Sequence, residues 1–221
     1  MKARLFPIAA AALLMSAGTM AQPRDWAQFG RYAESNKTVQ AKPLAVFMGD
    51  SITDNWDNCD EAFFTDNNYV CRGISGQTTS EMLVRFRQDV INLHPKYVVI
   101  LAGTNDLALN NGAIESENIL GNLISMCELA RLHKIKPILC SVIPSGGFGW
   151  RPEVGNPAGK IVELNKMIRD YAKSARIEYV DYHAALRDEN DELPANYAPD
   201  KVHPTPEAYK IMESVIVKYL K

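Results

Sequence analysis

The chain has no C-x-x-C pair and no His/Cys cluster at metal-ligand spacing, which excludes the usual zinc sites. It has only four cysteines, Cys59, Cys71, Cys127 and Cys140. Cys71 and Cys140 lie in apolar strand-like runs and Cys127 in an apolar helical stripe. Buried free thiols are therefore expected rather than a disulfide framework, since free Cys packs as a small apolar residue. No Lys/Arg run occurs, and 24 basic against 26 acidic residues give a net charge of −2. That leaves no electrostatic footprint for nucleic acid or an anionic membrane. Gly-x-Ser-x-Gly is missing, which excludes the nucleophile elbow of the α/β-hydrolases. Without repeats, low-complexity tracts or a linker, 221 residues suit one domain with a sizeable core. Neither a metal nor a cofactor is expected.

What is present begins with a leader. Lys2 and Arg4 precede a mostly apolar stretch, Leu5 to Ala17, and Thr19-Met20-Ala21 offers small residues before Gln22. These are the regions of a secretory signal peptide. The stretch is short for a membrane span and Pro7 interrupts it. Residues 1–21 are read as a signal peptide cleaved near Ala21, and 22–221 as one exported domain, periplasmic or extracellular, without stable membrane insertion. No Cys follows the apolar run, so a lipid-modified leader is not expected.

Short apolar runs then alternate with helical patterns. Leu44–Met48, Tyr69–Cys71, Tyr97–Ala102, Pro137–Val142 and Ile177–Val180 read as strands buried on both faces. Helices are expected over 79–93, capped by Thr79 or Ser80, and over 115–134, 158–175 and 206–220. Alternation of this kind predicts an α/β fold: a flavodoxin-like three-layer α/β/α sandwich around a five-stranded parallel sheet in order 2-1-3-4-5.

The chemistry follows from what stands at the strand ends. The first strand stops at Gly49-Asp50-Ser51, where open α/β sheets place their ligands. A serine hydroxyl needs a neighbouring base, and His203 can take and return its proton. Asp200, three residues before, would hold the imidazole in the right tautomer. Acyl transfer also needs donors for the developing oxyanion, and the backbone N–H of Ser51, the backbone N–H of Gly76 and the Asn105 amide are candidates. His183, after Asp181, is the competing imidazole; His94 and His133 read as structural or solvated. Asp50 and Asp106 read as loop-bonding carboxylates. Trp56, Phe148, Trp150 and Arg151 are candidates for the substrate pocket, the last three on the Gly/Pro-rich loop 144–157.

The blocks Gly49-Asp50-Ser51, Gly73-Ile74-Ser75-Gly76, Gly103-Thr104-Asn105-Asp106 and Asp200-Lys201-Val202-His203 together resemble the SGNH, or GDSL-type, hydrolase superfamily. The run 72–79 looks most like its secreted bacterial esterases and the platelet-activating-factor acetylhydrolase-like, lysophospholipase-like branch. The resemblance covers roughly residues 44–220. It implies Ser51 as nucleophile, Asp200 and His203 completing the triad, and Gly76 and Asn105 as oxyanion donors. Gln77 stands where the family often has an acid, and Ala208 where it often has Gly. The expected function is a serine esterase removing a small acyl group, foremost acetyl, from a small ester, an acylated carbohydrate among the candidates. Lysophospholipid or thioester hydrolysis is the alternative, with acyl transfer through the same site beside it. A non-catalytic, flavin-binding module is the reading from another class.

Overall fold

The computed structural model describes residues 25–39 and 42–221. The leader and its cleavage site lie outside these residues. Five strands form one parallel sheet: β1 Ala45–Gly49, β2 Tyr69–Gly73, β3 Tyr97–Leu101, β4 Lys136–Cys140 and β5 Glu178–Val180. Their order is β2-β1-β3-β4-β5, the doubly wound arrangement expected. Between and around them run α1 Ala33–Thr38, α2 Ser51–Cys59, α3 Glu61–Thr65, α4 Thr79–Asp89, α5 Thr104–Leu107, α6 Ser116–Leu132, α7 Ala158–Ala175, α8 Tyr182–Leu186 and α9 Pro206–Ile216.

The three layers follow from side-chain alternation along the strands. Val46, Met48, Val98 and Ile100 face α4, α6 and α7, where Met82, Phe86, Ile119, Leu123, Leu164 and Ile168 complete one core. Ala45, Phe47, Val99 and Leu101 face the other way, onto Ile52, Trp56, Phe63, Tyr182, Tyr209 and Met212 of α2, α3, α8 and α9. Every residue of β1 and β3 is buried, which is why these strands read as continuous apolar runs.

Two details adjust the sequence reading. The helix over 79–93 ends at Asp89, with Ile91–Leu93 a separate 3-10 turn. Its cap is Thr78, not Thr79 or Ser80: the Glu81 carboxylate accepts from the Thr78 backbone N–H at 2.8 Å, closing a capping box. Thr79 turns inward instead and donates to Asp106. All four cysteines are free, with Cys71, Cys127 and Cys140 buried and Cys59 exposed. Burial pushes the Cys71 thiol up to about 12, so it is inert at neutral pH. Among the described residues no helix is long and apolar enough to cross a membrane.

Gly73, at the end of β2, decides how closely α2 can approach. A Cβ there would sit 2.2 Å from the backbone nitrogen of Asp54. Only glycine lets the first turn of α2 rest on the strand end.

Although the sequence has no basic run, the topology gathers Lys42, Lys96, Arg131, Lys134, Lys136 and Arg176 at the end of the sheet opposite Ser51. Strand starts and helix ends far apart in sequence meet there.

Candidate active site

Ser51 is the first residue of α2, immediately after β1, with Asp50 as the helix cap. Its hydroxyl lies 2.9 Å from His203 Nε2. The other ring nitrogen of His203, Nδ1, lies 2.6 Å from Asp200 Oδ2. Asp200 Oδ1 accepts the backbone N–H groups of Val202 and His203 at 3.0 and 2.8 Å, so a tight local loop fixes carboxylate and imidazole together. Burial acts to raise the Asp200 pKa. Hydrogen bonds from the His203 ring and these two N–H groups outweigh it and leave the carboxyl below its ordinary value.

Gly76 and Asn105 line the same depression as Ser51 and His203, a space of about 410 Å³ shared with Asn55, Ser75, Asn110 and Trp150. Gly76 adopts a positive φ of 81°, in the left-handed region that favours glycine, and a Cβ there would meet nothing. The Asn105 amide donates one proton to Gln77 O at 3.1 Å. Its carbonyl oxygen accepts from Asn110 Nδ2 at 2.9 Å. Because these bonds fix the amide, its second N–H has a set direction. As the first residue of a helix, Ser51 has a backbone N–H with no intrahelical acceptor.

Asn110 is the residue that sequence reasoning missed. Its Nδ2 also donates to Gly76 O at 3.1 Å, and its Oδ1 accepts from the Trp150 indole at 2.9 Å. It thus joins three of the residues singled out from the sequence. The only signal at positions 110–112, Asn-Asn-Gly, reads as an ordinary turn. Asn55 and Ser75 were missed as well. Asn55 shares the Ser51 face of α2, four residues on, and Ser75 Oγ donates to Asp54 Oδ2 at 2.8 Å.

Three of the four pocket candidates need correction. Trp56 is 1% exposed and lies in the core, stacked on Phe63 and Tyr209 with ring centroids 5.4 Å away, its indole donating to Glu213 at 3.2 Å. At roughly 100° per residue, a position five after Ser51 points about 140° away from it. Phe148 is also buried and supports Trp150 from below, with centroids 5.4 Å apart. Arg151 opens onto an adjoining cleft instead and pairs with Glu153 at 3.5 Å. Trp150 does line the pocket, and its ring centroid lies 6.4 Å from that of His203. His183 is buried, and its backbone N–H donates to Ser141 Oγ at 2.8 Å; it is His203 that reaches Ser51.

Asp50 and Asp106 bond loop backbone as expected. Asp106 accepts from the Thr79 N–H and hydroxyl. Asp50 Oδ1 accepts the Ile52 N–H at 2.9 Å, while its buried Oδ2 has no partner among the described residues. Desolvation pushes the Asp50 carboxyl up to about 7. A group raised this way favours the folded state most when protonated, below its unfolded value near 3.8, and loses that contribution as pH climbs toward 7. Asp50→Asn keeps the acceptor for Ile52 and removes the titration. Its melting temperature should therefore rise relative to wild type between pH 4 and 7 and hold the gain above. A difference that stays flat across that window would refute the shift.

The GDSL-like lipase/acylhydrolase family model matches residues 47–211, well over half of the chain. The chain belongs to this family. Membership places it among ester-hydrolysing enzymes. A solved GDSL-like lipase of Bacteroides thetaiotaomicron is 46% identical, with 88% of this chain and 97% of that chain covered and a TM-score of 0.84. A Bacteroides fragilis protein assigned as an acylhydrolase is 44% identical over 89% of this chain and 97% of its own, with a TM-score of 0.86. An uncharacterised lipoprotein of Bacillus subtilis is 41% identical over 75 residues, 33% of this chain. The match spans only 31% of that curated relative.

Proposed function

We propose that this GDSL-family protein is an exported serine esterase that removes short acyl groups, foremost acetyl, from carbohydrate esters. The observation that carries the mechanism is the continuous line Ser51 Oγ, His203 Nε2, His203 Nδ1, Asp200 Oδ2, with separations of 2.9 and 2.6 Å. In the proposed reaction Ser51 Oγ attacks the ester carbonyl while its proton passes to His203 Nε2. Asp200 stabilises the imidazolium that forms. The carbonyl oxygen, now an oxyanion, is met by the N–H groups of Ser51 and Gly76 and by the Asn105 amide. His203 returns the proton to the departing alkoxide, leaving an acyl-Ser51. Water then repeats the sequence, giving the free acid and restoring the serine.

The restriction to short acyl groups rests on the lining of the pocket. Among the described residues Trp150 is its one large apolar side chain, and no Leu, Ile, Val, Phe or Met contributes a wall. A long acyl chain would find no apolar channel to bury its methylenes, each worth about 0.8 kcal/mol. The mouth is open to solvent, which gives water access to the acyl-enzyme and favours hydrolysis over transfer. Export is supported by the leader pattern at residues 1–21 and by the lipoprotein among its relatives.

A series of p-nitrophenyl esters tests this reading. The acetate should be turned over with kcat/KM at least about tenfold above the octanoate, the size of roughly 1.4 kcal/mol. Preference for the octanoate would instead support lysophospholipid-like or thioester substrates, and inactivity toward every ester would sink the esterase reading.

A further inference from the structure

Beside the nucleophile pocket lies a second cleft of about 570 Å³, within the ~300–1,000 Å³ typical of small-molecule sites. None of the steps above uses it. The two depressions share Ser75, Gly76, Asn110 and Trp150 and therefore adjoin. The far wall of the cleft comes from the N-terminal arm, through Asp25, Trp26 and Gln28.

That arm is held in place. Gln77 Nε2 donates to Ala27 O at 2.9 Å, Gln88 Nε2 to Phe29 O at 2.6 Å, and Asn36 Nδ2 to Asp89 at 2.8 Å. The Tyr32 hydroxyl bonds the carbonyl of Gly73, and Arg31 pairs with Asp54 at 3.3 Å. The wall is therefore preformed on the same loop that carries Gly76.

Its chemistry is selective. Trp26 is 53% and Trp150 43% exposed, two indoles left open to solvent on one cleft. Such side chains suit a ligand that offers an apolar face and a polar edge together. The amides of Gln28 and Asn111 line the same cleft, while those of Gln77 and Asn110 are bonded within the protein at both ends. The charged groups are already engaged: the Asp25 carboxylate accepts the N–H groups of Phe29 and Gly30, Glu81 closes the α4 cap, and Arg151 pairs with Glu153. Among the described residues no aliphatic side chain lines the cleft, which leaves an acyl tail no apolar wall, and its one cation, Arg151, is paired with Glu153. A pyranose ring fits both features, with C–H faces for indoles and hydroxyls for amides.

We propose that this cleft is the subsite for the alcohol half of the substrate, an uncharged oligosaccharide whose rings lie between Trp26 and Trp150 while its acylated hydroxyl reaches Ser51. The proposal rests on the esterase reading above and adds to it the place and chemistry of the leaving group.

Wild type, Trp26→Ala and Trp26→Phe are compared on p-nitrophenyl acetate, xylobiose hexaacetate and partially acetylated cellotetraose. The readout is the ratio of kcat/KM on each sugar ester to that on p-nitrophenyl acetate. In Trp26→Ala this ratio should fall about tenfold, the scale of one aromatic contact, and chiefly through KM. Trp26→Phe, which keeps a ring face, should recover most of it. An unchanged ratio for Trp26→Ala on both sugar esters overturns the subsite, as does a wild type that turns over p-nitrophenyl acetate but neither sugar ester. A wild type inactive on p-nitrophenyl acetate itself overturns the esterase reading, and the subsite with it. Because Trp26 is exposed on the arm, neither substitution threatens the core.

Discussion

Ser51→Ala should lower kcat on p-nitrophenyl acetate by on the order of 10⁵–10⁶, the loss typical when a serine nucleophile is removed from such a unit. The variant should keep the wild-type melting temperature, because the hydroxyl contributes one part-buried contact, to His203. His203→Ala should lose about as much, since the two groups act together and their losses do not add. Asn105→Ala should lose less, on the order of 10²–10³ and mainly in kcat, as expected for one oxyanion donor among several. His183→Ala should retain wild-type turnover. If Ser51→Ala kept more than a hundredth of the wild-type rate, Ser51 would not be the nucleophile.

The second large effect concerns Arg85, whose guanidinium is fully buried. It pairs with Asp89 at 3.0 Å, donates to Gly49 O at 3.1 Å and to Arg72 O at 2.9 Å, and bonds the Gln77 side chain. One side chain on α4 thus ties the ends of β1 and β2 to the loop beside Gly76. Burial lowers the Arg85 pKa, but a guanidinium remains charged at any pH a protein survives. Arg85→Ala takes the paired cation from a buried carboxylate and one donor from each of two strand-end carbonyls, and should cost about 3–5 kcal/mol in urea unfolding. Arg85→Lys keeps the charge but not the planar fork, so it should fall between the two. Stability of the alanine variant within about 1 kcal/mol of wild type would show that the network is dispensable.

The strands and long helices were legible because each buries a repeating apolar pattern over enough residues to register. Helix 158–175 matches α7 to the residue. The short helices α1, α3, α5 and α8 run only four to six residues, too few for a period to emerge; Asp60 and Asp181 cap α3 and α8, and α5 is held by burial. Ser51, Asp200 and His203, which the fold brings within hydrogen-bond reach, could be picked out by residue type. A serine after the first strand and an Asp/His pair near the C-terminus suit acyl transfer. Trp56 misled because closeness in sequence says nothing of direction around a helix. Asn110 and Trp26 escaped notice for a different reason. Their shared surroundings exist only once a turn, a distant loop and the N-terminal arm have been brought to one place. The same holds for the basic end of the sheet, assembled from residues that no stretch of sequence brings together.

Asn110 holds the Trp150 indole with its carbonyl and the Asn105 and Gly76 side of the pocket with its amide. On the proposed reading, the wall that would meet the substrate and the groups that would face the reacting carbonyl are therefore joined through one side chain. Selectivity and turnover would then be coupled: a smaller residue at position 150 would free one end of that amide and loosen the other. Laboratory evolution toward new esters should accordingly find its gains in paired changes at 110 and 150, with single changes at 150 trading speed for range.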